Sequence, residues 1–179
     1  MSAGPILFSN RGRSRPHPPG VDMKRSDELK KLSWEHHDAL KFGRHIRKGL
    51  ERGTDPELVG RYARYVTERF LEPHFRLEEE ALVKRLDDEQ KAEPVVQQVL
   101  DEHRQFGRMK EKLAQGGEAR HQLLLAFVAM LRAHVNLEEK HFFPFVEQAL
   151  DADALEQARQ EIDRGHVPGE LGWSPKFWE

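Results

Sequence analysis

The sequence predicts an all-α fold, an up-down-up-down antiparallel four-helix bundle with an extended N-terminal tail and a short C-terminal helix. Three observations carry the expectation. Apolar residues recur at helical spacing in four segments of about 20 to 30 residues. Proline, glycine and aspartate stand at the junctions between these segments. The junctions are short, so successive helices must turn back on one another, and four apolar stripes are then buried together.

Residues 1–25 contain Arg11, Gly12, Arg13, Ser14, Arg15 and Pro16, followed by Pro18, Pro19 and Gly20. That is too many breakers and too few apolar residues for a packed element, so the stretch reads as an extended or flexible arm lying on the bundle or on a partner chain. Its arginines lack the helical period of a transit peptide, and it has no secretory apolar core.

The bundle is expected over residues 26–150. Its first helix is capped by Ser26 or Asp27, carries Leu29, Leu32, Ala39, Leu40, Gly43, Ile46 and Leu50, and ends at Gly53. Asp55 and Pro56 supply the cap and first position of the second helix, which runs through Leu58, Tyr62, Tyr65, Val66, Phe70, Leu77, Ala81 and Leu82. Pro73 removes a backbone bond there and should kink the helix just before His74. Pro94 opens the third helix, with Val95, Val96, Val99, Leu100, Phe106, Met109 and Leu113, and Gly116 and Gly117 close it. The fourth runs from about residue 118 to 143 through Leu124, Phe127, Val128, Leu131, Val135, Leu137 and Phe142, and Pro144 kinks or ends it. Residues 151–179 then form a short helix near 153–164 and an aromatic tail, Trp173, Phe177 and Trp178, expected to pack on the bundle.

At 179 residues the chain can bury a full core without a disulfide or a metal. The longest apolar run, residues 123–131, is far shorter than the ~20 residues a bilayer crossing needs, so no membrane is expected. A net charge of -2 gives no basic field for nucleic acid. The chain has no cysteine, which excludes thiolate metal sites and thiol redox chemistry and is compatible with a cytoplasmic location. Histidine is the conspicuous residue, with 10 copies lying mostly inside the helical patterns.

Two motifs are near copies. His74-Phe75-Arg76-Leu77-Glu78-Glu79 lies in the second helix and His134-Val135-Asn136-Leu137-Glu138-Glu139 in the fourth. In each, histidine and glutamate stand one turn apart on the apolar face, so both can reach one metal-sized point. The first and third helices share a second repeat, Glu35-His36 and Glu102-His103. Counting back four and seven residues from His36 gives Leu32 and Leu29, whereas His37 gives Ser33 and Lys30, so His36 points at the core and His37 is the lesser candidate. Measured from the connecting loops, the four histidines lie at similar depth, with mismatches of about 5 to 6 Å at a rise of ~1.5 Å per residue.

A single buried histidine is more often a hydrogen-bonded core residue than a ligand. Six such groups in one layer are different. Without a cation, four imidazoles and two carboxylates carry a large desolvation penalty, and with one they become bonds. The expected metal ligands are therefore His36, His74, Glu78, His103, His134 and Glu138. Mixed imidazole and carboxylate donors suit iron or manganese, while structural zinc more often recruits cysteine or a closed tetrahedral set. The expected cofactor is two iron ions with an oxo or hydroxo bridge, with manganese or zinc as alternatives. Six ligands leave positions open for water, oxygen, nitric oxide or peroxide.

With its paired His-x-x-x-Glu-Glu motifs, its Glu-His pairs and the ending Phe142-Phe143-Pro144, the chain resembles the hemerythrin-like, or HHE cation-binding, domain family over about residues 27–148. The resemblance implies a di-iron centre in a four-helix bundle. Members bind oxygen, sense iron or oxygen, or handle nitric oxide and peroxide. Two departures separate this chain from the oxygen carriers: Gly107 stands where they have a further histidine, and Glu138 follows His134 by four residues instead of five. The iron-sulfur repair relatives usually carry an N-terminal cysteine, and this chain has none.

The expected function is binding or sensing of oxygen, nitric oxide or a related small ligand, ahead of dedicated enzyme activity. The alternatives are a di-iron enzyme acting on peroxide, nitric oxide or ferrous iron, and a metal-free structural or interaction bundle. Partners beyond the small ligand would be a second copy or a protein bound through the N-terminal arm. Among the remaining residues, His141 is read as a bundle-end histidine that could assist the site, and Glu79, Glu80 and Glu139 as solvated surface. Tyr62 and Tyr65 are read as core packing, and His17, His45, His121 and His166 as surface residues.

Overall fold

A computed structural model describes residues 27–117 and 120–179, and every described element is helical. The arm expected over residues 1–25 lies outside the described residues.

Helix α1 spans Lys30–Glu51. It begins later than a cap at Ser26 or Asp27 implies. Residues 27–29 form a turn, and no side chain caps the helix at Leu29. Its end matches the glycine expected there: Gly53 adopts a positive φ of 74°, a conformation glycine reaches without a Cβ clash. Helix α2 (Pro56–Val66) is capped by Asp55, whose side chain accepts the Glu57 amide at 2.9 Å.

Pro73 does not break the second rod. A π-helical turn at Thr67–Leu71 joins α2 to α3 (Glu72–Ala81), and the Glu72 amide reaches back five residues to the Thr67 carbonyl. Widening the helix here relieves the clash that a proline ring makes with the carbonyl one α-turn earlier. Thr67 Oγ1 donates to the Ala63 carbonyl at 2.8 Å at the start of that turn. The fourth rod uses the same device, with π turn Glu138–Phe142 just ahead of Pro144. The expected kink at Pro73, and kink or end at Pro144, are π turns instead, and nothing local in the sequence separates a kink from an inserted residue.

The link between the second and third rods holds a 3-10 turn, Val83–Arg85, and a short helix α4 (Asp88–Lys91), neither of them expected. Asp87 and Gln90 form a reciprocal capping box around α4. Helix α5 spans Pro94–Gln115, α6 spans Arg120–Leu137 and α7 spans Phe143–Ala149. Helix α8 (Ala152–Gly165) starts at the Asp151 cap and packs on α3 and α1. Helix α1 packs against α2 and α6, and α5 against α2 and α6, which makes the molecule a helical bundle. Among the described residues no helix is long and apolar enough to cross a membrane.

The core falls into two apolar clusters. One contains Phe42, Ile46, Tyr62, Phe70, Phe106 and Phe127, and the other Leu32, Leu77, Val99, Phe142, Val146 and Ile162. The change from one to the other comes at the same height on every rod, between Leu32 and Ala39, around His74, between Val99 and Phe106, and between Leu131 and Phe142. A polar layer occupies that height.

Candidate metal centre

The buried polar side chains of the described core are Glu35, His36, Thr67, His74, Glu78, His103, His134 and Glu138. All six residues expected as ligands are among them. His36 is 3% exposed whereas His37 lies on the surface, so the choice between the two falls to His36. The helical period explains the convergence. Leu32 and His36 share one stripe of α1, which Leu29 extends at its N-cap, and His74 and Glu78 stack one turn apart on α3.

The inner atoms meet at short range. His36 Nε2 lies 3.0 Å from Glu138 Oε2 and 3.6 Å from Glu78 Oε1. His74 Nε2 lies 3.4 Å from Glu78 Oε1. On the other side, His103 Nε2 is 3.5 Å from Glu78 Oε2 and 3.4 Å from Glu138 Oε1, and His134 Nε2 is 3.1 Å from Glu138 Oε1. Each glutamate therefore turns one oxygen toward the His36/His74 pair and its other oxygen toward the His103/His134 pair. Two overlapping groups result, His36, His74, Glu78 and Glu138, and Glu78, His103, His134 and Glu138, each with its donor atoms within 4.8 Å of one another.

The donor set fits a pair of cations. Donors about 2.0–2.2 Å from one ion and at right angles to each other lie about 3 Å apart, close to the nitrogen-to-oxygen separations here. The inner atoms also lack other partners: Nε2 of His36, His74 and His134, both Glu78 oxygens and Glu138 Oε2 are buried without a hydrogen bond. Buried polar atoms are almost always satisfied, so a group of six unsatisfied ones in a single layer marks a place where something else supplies the bonds.

The outer nitrogens, by contrast, are all occupied. His74 Nδ1 donates to Glu35 Oε2 at 2.6 Å, His103 Nδ1 to Glu79 at 2.8 Å, His134 Nδ1 to Glu102 at 2.8 Å and His36 Nδ1 to Glu139 at 2.7 Å. The four bonds run around the bundle as a ring, each rod's carboxylate holding a histidine of the next. They place the proton on Nδ1 and aim the Nε2 lone pair inward. Reading Glu79 and Glu139 as solvated surface is therefore wrong. Each is partly exposed, yet each leans from the edge of the ligand stripe onto a neighbouring rod's imidazole. The signal for all four was adjacency: every outer carboxylate is the chain neighbour of an inner residue, in Glu35-His36, Glu78-Glu79, Glu102-His103 and Glu138-Glu139.

Electrostatics follow from this packing. Burial opposes a charge on His36 and on His103, but the carboxylates around each outweigh it and raise both pKa values well above the ordinary imidazole range. His134 is raised for the same reason, against its burial, chiefly by Glu138 and Glu102. Burial alone would raise Glu138, yet His134, His103 and His36 hold it well below the usual carboxylate range. Without a cation the layer balances its charge with protons on the imidazoles, so protons and cations compete for the same nitrogens.

Aromatic rings close the layer. Phe75 stacks on His103 with centroids 4.1 Å apart, and Phe143 stacks on His36 at 5.2 Å. Tyr62 is core, as expected. His141 and His121 are exposed. His45 departs from the surface reading: half-buried, it bonds the Tyr62 hydroxyl at 2.8 Å and stacks on Trp178; His166 is exposed as expected, yet it bonds Glu35 Oε1 at 2.6 Å. The Trp178 stack and the His166 bond come from the C-terminal segment folding back, and the Tyr62 bond from α2 packing on α1, none of which spacing within a single helix reveals.

Neither the curated proteins nor the solved structures include a match to this chain. Residues 27–146 match the hemerythrin HHE cation-binding domain, a span that contains every member of the inner set. The chain belongs to the hemerythrin HHE cation-binding domain family.

Proposed function

We propose that this protein holds two iron ions in the polar layer and binds or senses oxygen, nitric oxide or a related small ligand there. The observation that carries the reading is the set of unsatisfied inner atoms, with each glutamate presenting one oxygen to each histidine pair. In this reading His36 and His74 hold one cation, His103 and His134 hold the other, and Glu78 and Glu138 are shared. Imidazole with carboxylate favours iron, with manganese or zinc as the alternatives. The four rods are taken to alternate in direction, in keeping with their short connections.

When bound, the iron pair supplies open coordination positions and electrons to a small ligand. The chain's own residues do the rest. Glu35, Glu79, Glu102 and Glu139 fix the tautomer and orientation of the four imidazoles. Phe75, Phe106 and Phe143 keep bulk water from the layer, which strengthens every electrostatic contact inside it. Sensing requires no substrate cleft, only a change at the layer that the surrounding helices feel.

The test is an anaerobic, ferrous-loaded sample mixed with oxygen. A stable absorption band that disappears when oxygen is removed is expected, and rapid irreversible bleaching would contradict binding or sensing. One observation favours turnover as a second reading. A Cβ at Gly107, one turn beyond His103, would meet nothing within 4 Å, so the backbone there faces open space. Steady consumption of peroxide or nitric oxide, lost in His74→Ala, would decide for that reading, and turnover no faster than with free iron would decide against it.

A further inference from the structure

The ring of outer carboxylates is not symmetric. Glu35 is fully buried, while the side chains of Glu102, Glu139 and Glu79 are 18%, 30% and 41% exposed. Glu35 also has more to hold. Besides His74 Nδ1, it accepts His166 Nδ1 at 2.6 Å and the Val167 amide at 2.9 Å, both on Oε1. Its counterpart Glu102 receives, among the described residues, the Gln98 side chain at 2.9 Å besides His134.

The extra donors come from outside the family-matched span, which ends at residue 146. The segment that carries them is seated closely. A Cβ at Gly165 would come within 2.6 Å of Leu77, so the end of α8 lies directly on α3, three residues from His74 in that helix. Val167 is 8% exposed and belongs to the apolar cluster on the far side of the layer from α8's own contacts. His166 and Val167 thus arrive at Glu35 from a fixed backbone.

We propose that His166 is a positioning residue that makes the two cation positions unequal, so that the His36/His74 position fills first and more tightly. This rests on the two-cation reading above. The physical reason is preorganisation: a carboxylate held at three points cannot swing, so His74 keeps its aim, whereas Glu79 and Glu102, which hold the His103/His134 pair, face solvent in part. Outer partners of metal-bound histidines are worth about 10–100-fold in metal affinity, and His166 acts one bond further out, so about tenfold is expected.

Cobalt(II) is the probe, titrated into the full chain after chelation, with visible absorption and a competing chelator resolving the two steps. The expected result is two separable steps. His166→Ala should weaken the first by about tenfold and leave the second in place. His166→Asn, whose amide N–H sits where Nδ1–H does, should restore it. Gln98→Ala should disturb only the second step. A role confined to folding would shift both steps together and would not be rescued by asparagine, so that outcome overturns the proposal, as does filling in one indistinguishable step. Absence of any cobalt uptake would instead overturn the two-cation reading, and this inference with it.

Discussion

Histidine is packed against other side chains in two regions of this molecule, half-buried in one and buried in the other, and the two behave oppositely. In the aromatic cluster formed by α1, α2 and the C-terminal segment, His45 bonds the Tyr62 hydroxyl and lies flat on Trp178, centroids 4.1 Å apart. Trp173 and Phe177 close over Tyr62, and a Cβ at Gly49 would come within 2.6 Å of Phe177, so the segment fits only against glycine. There His45 Nδ1 and the Tyr62 hydroxyl satisfy one another. In the layer about two and a half turns away along α1, the outer nitrogens are satisfied, while the inner nitrogens of His36, His74 and His134 are not. Burial of a histidine therefore says little about function. The number of its nitrogens left without a partner says much more.

Removing a shared carboxylate should have the largest effect. Glu78→Ala and Glu138→Ala each withdraw an oxygen from both positions, and each should lose two-cation uptake by more than about 100-fold. Helix content should survive, because two apolar clusters flank the layer. Elemental analysis beside circular dichroism checks this, and global unfolding of both variants would contradict it. Tyr62→Phe, in the other region, should leave uptake unchanged.

Next in size is loss of an outer carboxylate. Glu102→Gln should weaken cation binding by about 10–100-fold, read by chelator competition. The inner ligands are untouched in that variant, so only the aim and basicity of His134 change.

Acidity should separate the regions further. Because His36, His103 and His134 have raised pKa values, cation uptake must displace protons, and affinity should fall as pH drops below those raised values. Proton release per cation in weakly buffered solution measures this directly. The cation-free fold has the opposite dependence on the alkaline side. Its histidine-carboxylate pairs stabilise it fully below the unfolded imidazole value, near 6.5, and that contribution is lost as pH rises through the raised values. Thermal unfolding of chelated protein across that range is the check.

His45 should show the smallest effect and the reverse sign. Burial, then Lys41, Arg44 and Lys48, lowers its pKa to about 4. The unfolded chain takes up this proton near pH 6.5 and the folded chain does not, so stability should fall as pH drops from about 6.5 to about 4. After allowance for solvent screening the loss is about 1 kcal/mol, and His45→Gln should remove that slope. Tyr62→Phe should likewise cost about 1 kcal/mol, the net worth of one hydrogen bond.

Much of this was legible in the residues. Helical periodicity placed the rods, and the Asp55-Pro56 and Gly53 punctuation placed their ends, because those signals are local. The convergence of His36, His74, Glu78, His103, His134 and Glu138 was legible because two i, i+4 pairs and two Glu-His repeats lie on apolar stripes at similar depth. The π turns were not, since a proline is compatible with either a kink or a widened turn. The roles of Glu79 and Glu139 were hidden because both lie at the edge of their stripe, where contact with the next rod decides burial. His45 and His166 were hidden because their partners arrive from across the fold, 17 residues away at Tyr62 and 131 residues away at Glu35.

Anomalous X-ray scattering at the iron edge, from crystals of the iron-loaded full chain, is the most direct measurement. Two peaks are expected inside the layer, one bounded by His36 and His74 and one by His103 and His134, with Glu78 and Glu138 reaching both. An iron-containing crystal with a single peak there, or with its iron elsewhere, would contradict a paired centre built on shared glutamates.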